Sequence, residues 1–248
     1  MTQRPQMVER GARPTSVVNE VGERLWVLIV AGIPIGVVVA GAGSRLAMYV
    51  LRLTSPDDVR GRISDDGFEI GRFTLGGTYN LLVLGAAVGV VGAAAYRAVA
   101  PWLIGPIWFR RFTVAAASGA VVGSMLVHAD GIDFHVLKPQ WLAIGLFVAL
   151  PAVFGAAIAA GVDHLAQQST PNRWQRWLLP AVLVVAFPPV IFFVTIAAAT
   201  LVVWVPIRRL IARAGSVPTA AGLAIRAGWL AVAVLGLVAL IGDIQALT

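Results

Sequence analysis

The stretch LWVLIVAGIPIGVVVAGAGSRLAMYVL, residues 25–51, decides the fold class of this protein. Its only charged residue is Arg45. At about 1.5 Å per residue, a helix of this length crosses a hydrocarbon layer of about 30 Å with some tilt. Because Arg45 lies near the end of the stretch, we expect its side chain to reach the membrane interface. The alternative is that Arg45 handles a substrate or a proton inside the membrane.

The rest of the chain repeats this apolar pattern after a polar N-terminal tail, residues 1–24. The 248 residues are 58% hydrophobic and only 12% charged, and the mean hydropathy is +0.84. A soluble domain is far less apolar than this. We therefore predict an all-α integral membrane protein, a bundle of about six transmembrane helices in one domain, residues 25–243. The spans are predicted at residues 25–51, 78–99, 112–127, 140–165, 177–205 and 223–241.

The fifth apolar stretch, residues 177–205, has two interpretations because Pro188-Pro189 interrupt it near its middle. Two full spans need about 40 residues, which is more than this stretch contains. Since proline breaks the hydrogen-bond ladder of a helix, we expect one long span that is broken at the proline pair. The alternative is a re-entrant hairpin, which turns back at the prolines and leaves the membrane on the side where it entered.

Glycine pairs indicate which of the predicted spans approach each other closely. A GxxxG pair lets two helix backbones come into contact, because no side chain stands between them. We expect the first three spans to pack together through such pairs. The pairs are Gly32 and Gly36, Gly85 and Gly89, and Gly119 and Gly123.

The loop between the first two spans, residues 53–77, is polar and carries five acidic residues. Such a density of charge excludes it from hydrocarbon. Apolar residues alternate with polar ones on both sides of Asp66-Gly67, a pair that favours a tight two-residue turn. We predict an extramembrane β-hairpin that turns at residues 65–67.

The basic residues do not select one orientation until the fifth stretch is assigned. Positive charge marks the cytoplasmic side of a membrane protein. With six spans, nine basic residues fall on each side, whereas a re-entrant fifth stretch places thirteen on the N-terminal side and five on the other. We expect a cytoplasmic N-terminus. The net charge of +7 comes from arginines that flank apolar runs, so we expect the lipid bilayer, and no nucleic acid, as the partner of this charge.

The loop after the third predicted span contains a group that could hold a metal ion: His128, Asp130, Asp133 and His135. Imidazole and carboxylate groups are suitable ligands for zinc or manganese. No helical HExxH pattern fixes their geometry, and the chain has no cysteine. The alternative is a solvated acidic loop without a metal, and no other cofactor is expected.

A second ionisable pair, Asp163 and His164, lies at the end of the fourth predicted span. Transporters often keep an ionisable group that binds substrate or moves a proton at such a position. The alternative is that both residues lie at the membrane interface and that Asp163 pairs with an arginine of an adjoining loop.

Three stretches carry a resemblance to known sequences: SRLAMYV at residues 44–50, TLGGTYNLL at residues 74–82 and PQWLAIGLFVALPAVFGAA at residues 139–157. Together they resemble uncharacterised small multi-spanning inner-membrane proteins of high-GC bacteria. The resemblance implies a multi-pass location in the cell inner membrane. It implies no function and no site residue.

Three classes of function are compatible with these sequence features. The first is a structural, accessory or partner-binding membrane component, which acts with a protein partner or as a homo-oligomer, because its spans are rich in small packing residues. The second is a small-molecule or ion transporter, which the broken fifth stretch favours. The third is a metal-dependent enzyme at the outer membrane surface, which would use the His/Asp loop. We expect that the protein is not an enzyme.

Overall fold

The structure is a computed structural model that describes residues 17–56, 74–128, 134, 136–168, 173–213 and 219–247. Its regular structure over these residues is helical throughout, with no strand. This confirms the predicted all-α class. The predicted β-hairpin at residues 65–67 falls within residues 57–73, outside the described part of the chain.

Eight α-helices form the described part of the bundle. They are α1 (Val17–Ile35), α2 (Gly43–Thr54), α3 (Leu75–Val99), α4 (Ile107–Leu126), α5 (Gln140–Gln167), α6 (Arg173–Ala186), α7 (Val190–Arg213) and α8 (Thr219–Leu247). A π-helical segment, Gly36–Ala42, joins α1 to α2 without a break, and a 3-10 turn, Ala100–Trp102, ends α3.

Four of the described helical stretches are long and apolar enough to cross a membrane: Val17–Thr54, Leu75–Trp102, Gln140–Gln167 and Gly222–Leu247. They contain the first, second, fourth and sixth predicted spans. Helix α4, which covers the third except for its last residue, has 20 residues and carries Arg110 and Arg111 near its start. The fifth stretch is divided into two shorter apolar helices, Trp177–Ala186 and Val190–Pro206. The predicted count of six spans is therefore not supported.

The backbone at the end of α1 and the start of the π-helical segment touches the backbone of α3 near the middle of α3. A Cβ atom added to Gly32 would lie 2.6 Å from the carbonyl oxygen of Gly89. One added to Gly36 would collide with the carbonyl oxygen of Gly85. Only glycine permits this approach, because any side chain would press on backbone atoms that cannot rotate away. The predicted contact between the first two spans is confirmed.

The third glycine pair packs elsewhere, so that part of the prediction is wrong. Gly119 and Gly123 on α4 face α5, where added Cβ atoms would lie 3.2 Å from side-chain atoms of Ala152 and Val148. On another face of α4, Gly236 of α8 lies against the backbone of Val121. A GxxxG pattern predicts a close neighbour but does not identify it, and α4 packs between α5 and α8.

The two ends of the bundle are distinguished by the direction of the helices. We call the end where α1 begins and α3 finishes the first end, and the opposite one the second end. An apolar cluster joins α2, α4, α5 and α8 at the second end through Leu51, Val127, Phe134, Leu137, Ala143 and Leu240. Near it, the backbone N–H of Lys138 donates a hydrogen bond to Ser55 Oγ at 2.9 Å.

Helices α6 and α7 form a hairpin whose two outer ends both lie at the first end. Val190, at the start of α7, is buried against Ile33 and Val90 in the middle of the bundle. Further along α7, Leu201 packs on the cluster around Trp26 at the first end. The chain thus turns back at residues 187–189.

The placement of α8 agrees with this turn. Gly222, near its start, faces the Trp102 ring at the first end, with 3.4 Å between the ring and an added Cβ. At its other end, Gln140 Nε2 donates a hydrogen bond to the Leu247 carbonyl at 3.0 Å. Helix α8 therefore runs from the first end to the second. The chain turns back at the prolines, so the expectation of one long span is wrong. That the hairpin re-enters a membrane stays a prediction.

Candidate functional site

Four polar side chains from three helices meet at the first end. Tyr96 lies near the end of α3, Asp163 lies near the end of α5, and Arg110 and Arg111 lie near the start of α4. We call these four residues the first-end cluster. It joins three helices through polar side chains, and it is the candidate functional site.

The turn between α3 and α4 positions the two arginines. Gly105 has a φ of +95°, in the left-handed region that favours glycine. A Cβ atom there would also lie 2.9 Å from the Phe109 ring. This tight reversal returns the chain beside the end of α3, and Arg110 Nη2 donates a hydrogen bond to the Ala100 carbonyl at 2.8 Å.

The centre of the first-end cluster is a hydrogen bond between α3 and α5. The Tyr96 hydroxyl donates to Asp163 Oδ1 at 2.7 Å. The other carboxylate oxygen, Oδ2, lies 3.9 Å from Arg111 Nε. Asp163 is thus paired with an arginine, as predicted, although the distance is longer than a hydrogen bond. The tyrosine partner could not be found from the sequence, because it is 67 residues away along the chain.

The two arginines retain unused donors. The Nε atoms of Arg110 and Arg111 are both buried, and neither has a hydrogen-bond acceptor among the described residues. Arg110 reaches the Ala100 carbonyl at the end of α3, and Arg111 lies beside Asp163, the partner of Tyr96. With one carboxylate against two guanidinium groups, the cluster keeps an excess of one positive charge.

His164 does not take part in the cluster. Its side chain is exposed, and its Nε2 lies 2.8 Å from Gln168 Nε2, one turn further along α5. Successive residues on a helix point about 100° apart, so the neighbours Asp163 and His164 face different surroundings. The structure does not bring them together as a pair.

Arg45, the other predicted site residue with a charge, lies toward the second end. One of its terminal nitrogens lies 2.7 Å from where a Cβ of Gly77 would be. Gly77 is in the first turn of α3, beside the N-cap Thr74, whose hydroxyl accepts its N–H at 3.2 Å. The guanidinium therefore reaches the first turn of α3, and its place at a membrane interface stays a prediction.

The predicted metal ligands are described only in part. His128 is exposed after the end of α4, whereas Asp130, Asp133 and His135 lie outside the described residues. Within the described part of the chain, no group of three or more His, Cys, Asp or Glu residues is placed to hold a metal ion. The zinc or manganese site stays a prediction.

Two helix irregularities meet in the middle of the bundle. Phe187, at the turn of the α6–α7 hairpin, and Val37, in the π-helical segment, pack on the same apolar cluster. Ile33 and Val190 form the fully buried centre of that cluster. π-Helical segments and broken helices occur often at functional sites, so this apolar contact is a second position of interest.

Comparison with protein-family models, with curated proteins and with solved structures found no match to this chain. The functional interpretation therefore depends on the residues and the geometry described above.

We predict that Tyr96→Phe lowers the stability of the detergent-solubilised protein by about 1–3 kcal/mol, because it leaves the part-buried Asp163 without its hydrogen-bond donor. Tyr79→Phe is the matched control, since Tyr79 lies on the same helix with an exposed ring. Thermal unfolding followed by tryptophan fluorescence measures both. Equal midpoints for the two variants would contradict this role of the hydrogen bond.

Proposed function

We propose that this protein is a multi-pass integral membrane component that acts by binding a protein partner or a second copy of itself, without a reaction of its own. The observation that carries the proposal is the separation of polar and small residues. The charged side chains that the structure describes lie within about two or three turns of a helix end, as Arg45, Arg111 and Asp163 do. The middle is filled by glycine, alanine and aliphatic residues.

This separation favours a structural or accessory role over chemistry inside the membrane. Proton relays and sites for charged solutes place ionisable groups at depth in the bilayer. Tightly packed small residues instead give a rigid core, because the helix backbones approach closely and few side chains can rearrange. A rigid core with an apolar outer surface is suited to lateral association with another membrane protein.

We further propose five membrane crossings, formed by the α1–α2 helix, α3, α4, α5 and α8, with the α6–α7 hairpin re-entering from the first end. By their positions in the sequence, thirteen of the nineteen basic residues then belong to the first end and six, with Arg45 counted, to the second. Eight of the twelve acidic residues belong to the second end. Positive charge marks the cytoplasmic side, so the N-terminus and the first end are cytoplasmic.

The location that fits this arrangement is the cell inner membrane of a bacterium. The resemblance of residues 44–50, 74–82 and 139–157 to inner-membrane proteins of high-GC bacteria supports it. The strong excess of arginine at one end supports it as well, because that asymmetry arises in membranes where helices insert with a fixed orientation.

The orientation predicts the result of reporter fusions. A reporter placed after Gly215, between α7 and α8, is expected to be cytoplasmic, and one placed after residue 248 is expected to be on the opposite side. Paired fusions to a cytoplasmic fluorescent protein and to an externally active phosphatase measure this. A six-span protein would place the reporter after Gly215 on the external side, where the phosphatase is active. That outcome would exclude the five-crossing arrangement.

The partner-binding role is tested by purifying the tagged chain from its own membranes at its natural level. We expect native mass spectrometry to find a species heavier than one 26.1 kDa chain, with the same stoichiometry in two detergents and in lipid discs. A lone chain under all three conditions, together with solute flux after reconstitution, would contradict the proposal. That result would favour the second candidate.

The second candidate is a transporter, and the meeting of two helix irregularities favours it. Discontinuous helices line the binding sites of many transporters, and here the hairpin turn and the π-helical segment share one apolar cluster with Ile33 and Val190. Because an isolated charge is costly in such surroundings, this contact would suit an apolar or amphipathic molecule better than a bare ion.

A further inference from the structure

The two arginines of the first-end cluster are only partly neutralised. Arg111 Nε is 3.9 Å from Asp163 Oδ2, too far for a hydrogen bond, and the other oxygen of that carboxylate already accepts from Tyr96. Arg110 donates one hydrogen bond, to a neutral carbonyl. Their buried Nε donors have no acceptor in the described part of the chain. A buried guanidinium donor without an acceptor is costly, and here two such arginines adjoin each other with a single carboxylate beside them. The pair therefore has capacity for an anion.

The surroundings of the arginines are apolar and exposed. Trp108, with 66% of its surface exposed, immediately precedes Phe109 and Arg110, and Phe112 follows Arg111 with 65% exposed. Ile104 and Ile107, in the preceding turn, are exposed as well. Tryptophan and other aromatic side chains prefer the headgroup layer of a bilayer. We call these exposed apolar side chains, which flank the two arginines along the chain, the apolar collar. Side chains of this kind suit contact with acyl chains and glycerol.

From this juxtaposition we propose that Arg110 and Arg111 bind the phosphate headgroup of an anionic phospholipid in the leaflet at the first end. Guanidinium is well suited to phosphate, because its planar donors match the phosphate oxygens. The apolar collar distinguishes a lipid from a soluble anion, since a free phosphate would leave these large side chains uncovered. Asp163 limits the site to one excess positive charge, which matches a headgroup with one negative charge.

The site joins three helices, so its occupancy has a structural consequence. Arg110 holds the end of α3 through Ala100, and Arg111 lies beside α5 through Asp163. A headgroup that accepts from both guanidinium groups would connect these contacts at the start of α4. The lipid would thus stabilise the first end, where the α6–α7 hairpin also begins and ends.

The test uses the full-length protein, stripped of lipid in detergent, with phosphatidylglycerol or phosphatidylcholine added back and bound lipid counted by native mass spectrometry. We expect the wild type to bind phosphatidylglycerol in preference to phosphatidylcholine. Juxtamembrane arginine contributes about 1 kcal/mol to the binding of anionic lipid. Arg110→Gln/Arg111→Gln should therefore bind phosphatidylglycerol about 30-fold more weakly, and each single variant about fivefold more weakly.

The matched control is Arg52→Gln. Arg52 lies in the last turn of α2 at the second end, and its Nε is also buried without a described acceptor, but no second arginine stands next to it in the sequence. This variant should bind phosphatidylglycerol as the wild type does. If the double variant does not give a monodisperse protein, the two single variants, Arg110→Gln and Arg111→Gln, are compared with the wild type and with Arg52→Gln instead.

Three outcomes would overturn the proposal. The first is unchanged preference for phosphatidylglycerol in both single variants. The second is an equal loss in Arg52→Gln, which would indicate a general effect of charge. The third is displacement of the lipid by millimolar inorganic phosphate, or equal binding of glycerol 3-phosphate, which would identify a site for a soluble anion. None of these outcomes depends on whether the protein has a partner, so this proposal can fail while the partner-binding function stands.

Discussion

The contact between the backbones of α1 and α3 is the constraint on which the rest of the bundle depends. In lipid, helices gain little from burying apolar side chains, so close backbone packing provides the attraction. Gly32 and Gly36 meet Gly89 and Gly85 so closely that an added Cβ on any of them would press on backbone atoms. The pair therefore forms one closely packed unit, and α6 and α7 lie against its surface.

The α6–α7 hairpin is the clearest consequence of that unit. Val190 at the start of α7 is completely buried in the cluster that also contains Ile33 of α1 and Ala86 of α3. Its burial depends on α1 and α3 lying close together. Because the hairpin turns there, both of its outer ends lie at the first end. The direction of the chain after residues 187–189 thus follows from a packing contact in the middle of the bundle.

The sequence predicts those features that depend on local chemistry. Apolar length predicts the four long helices, Pro188-Pro189 predict a helix break, and the glycine pairs predict close neighbours. After the break, α7 could run on toward the second end or return to the first end. Its packing on α1 decides between these directions, and no local sequence pattern indicates which one is adopted. The hydrogen bond from Tyr96 to Asp163 cannot be predicted from the sequence for the same reason. It forms only when α3 and α5 are neighbours in the folded chain. The charge count was balanced under six spans, and it becomes asymmetric only when the chain turns back at the prolines.

The most direct test is the reactivity of a single cysteine at Val190, which the natural absence of cysteine makes simple. The rate of labelling by N-ethylmaleimide in detergent is compared for Val190→Cys alone and combined with Gly89→Leu or Gly145→Leu. Gly145 has nothing within 4 Å of an added Cβ, so it is the control. Overpacking at Gly89 costs about 1–3 kcal/mol or more, so we expect slow labelling that becomes about tenfold faster with Gly89→Leu and stays slow with Gly145→Leu. Equal rates in the two double variants, with both proteins folded, would contradict the claim that the α1–α3 contact holds the hairpin in place.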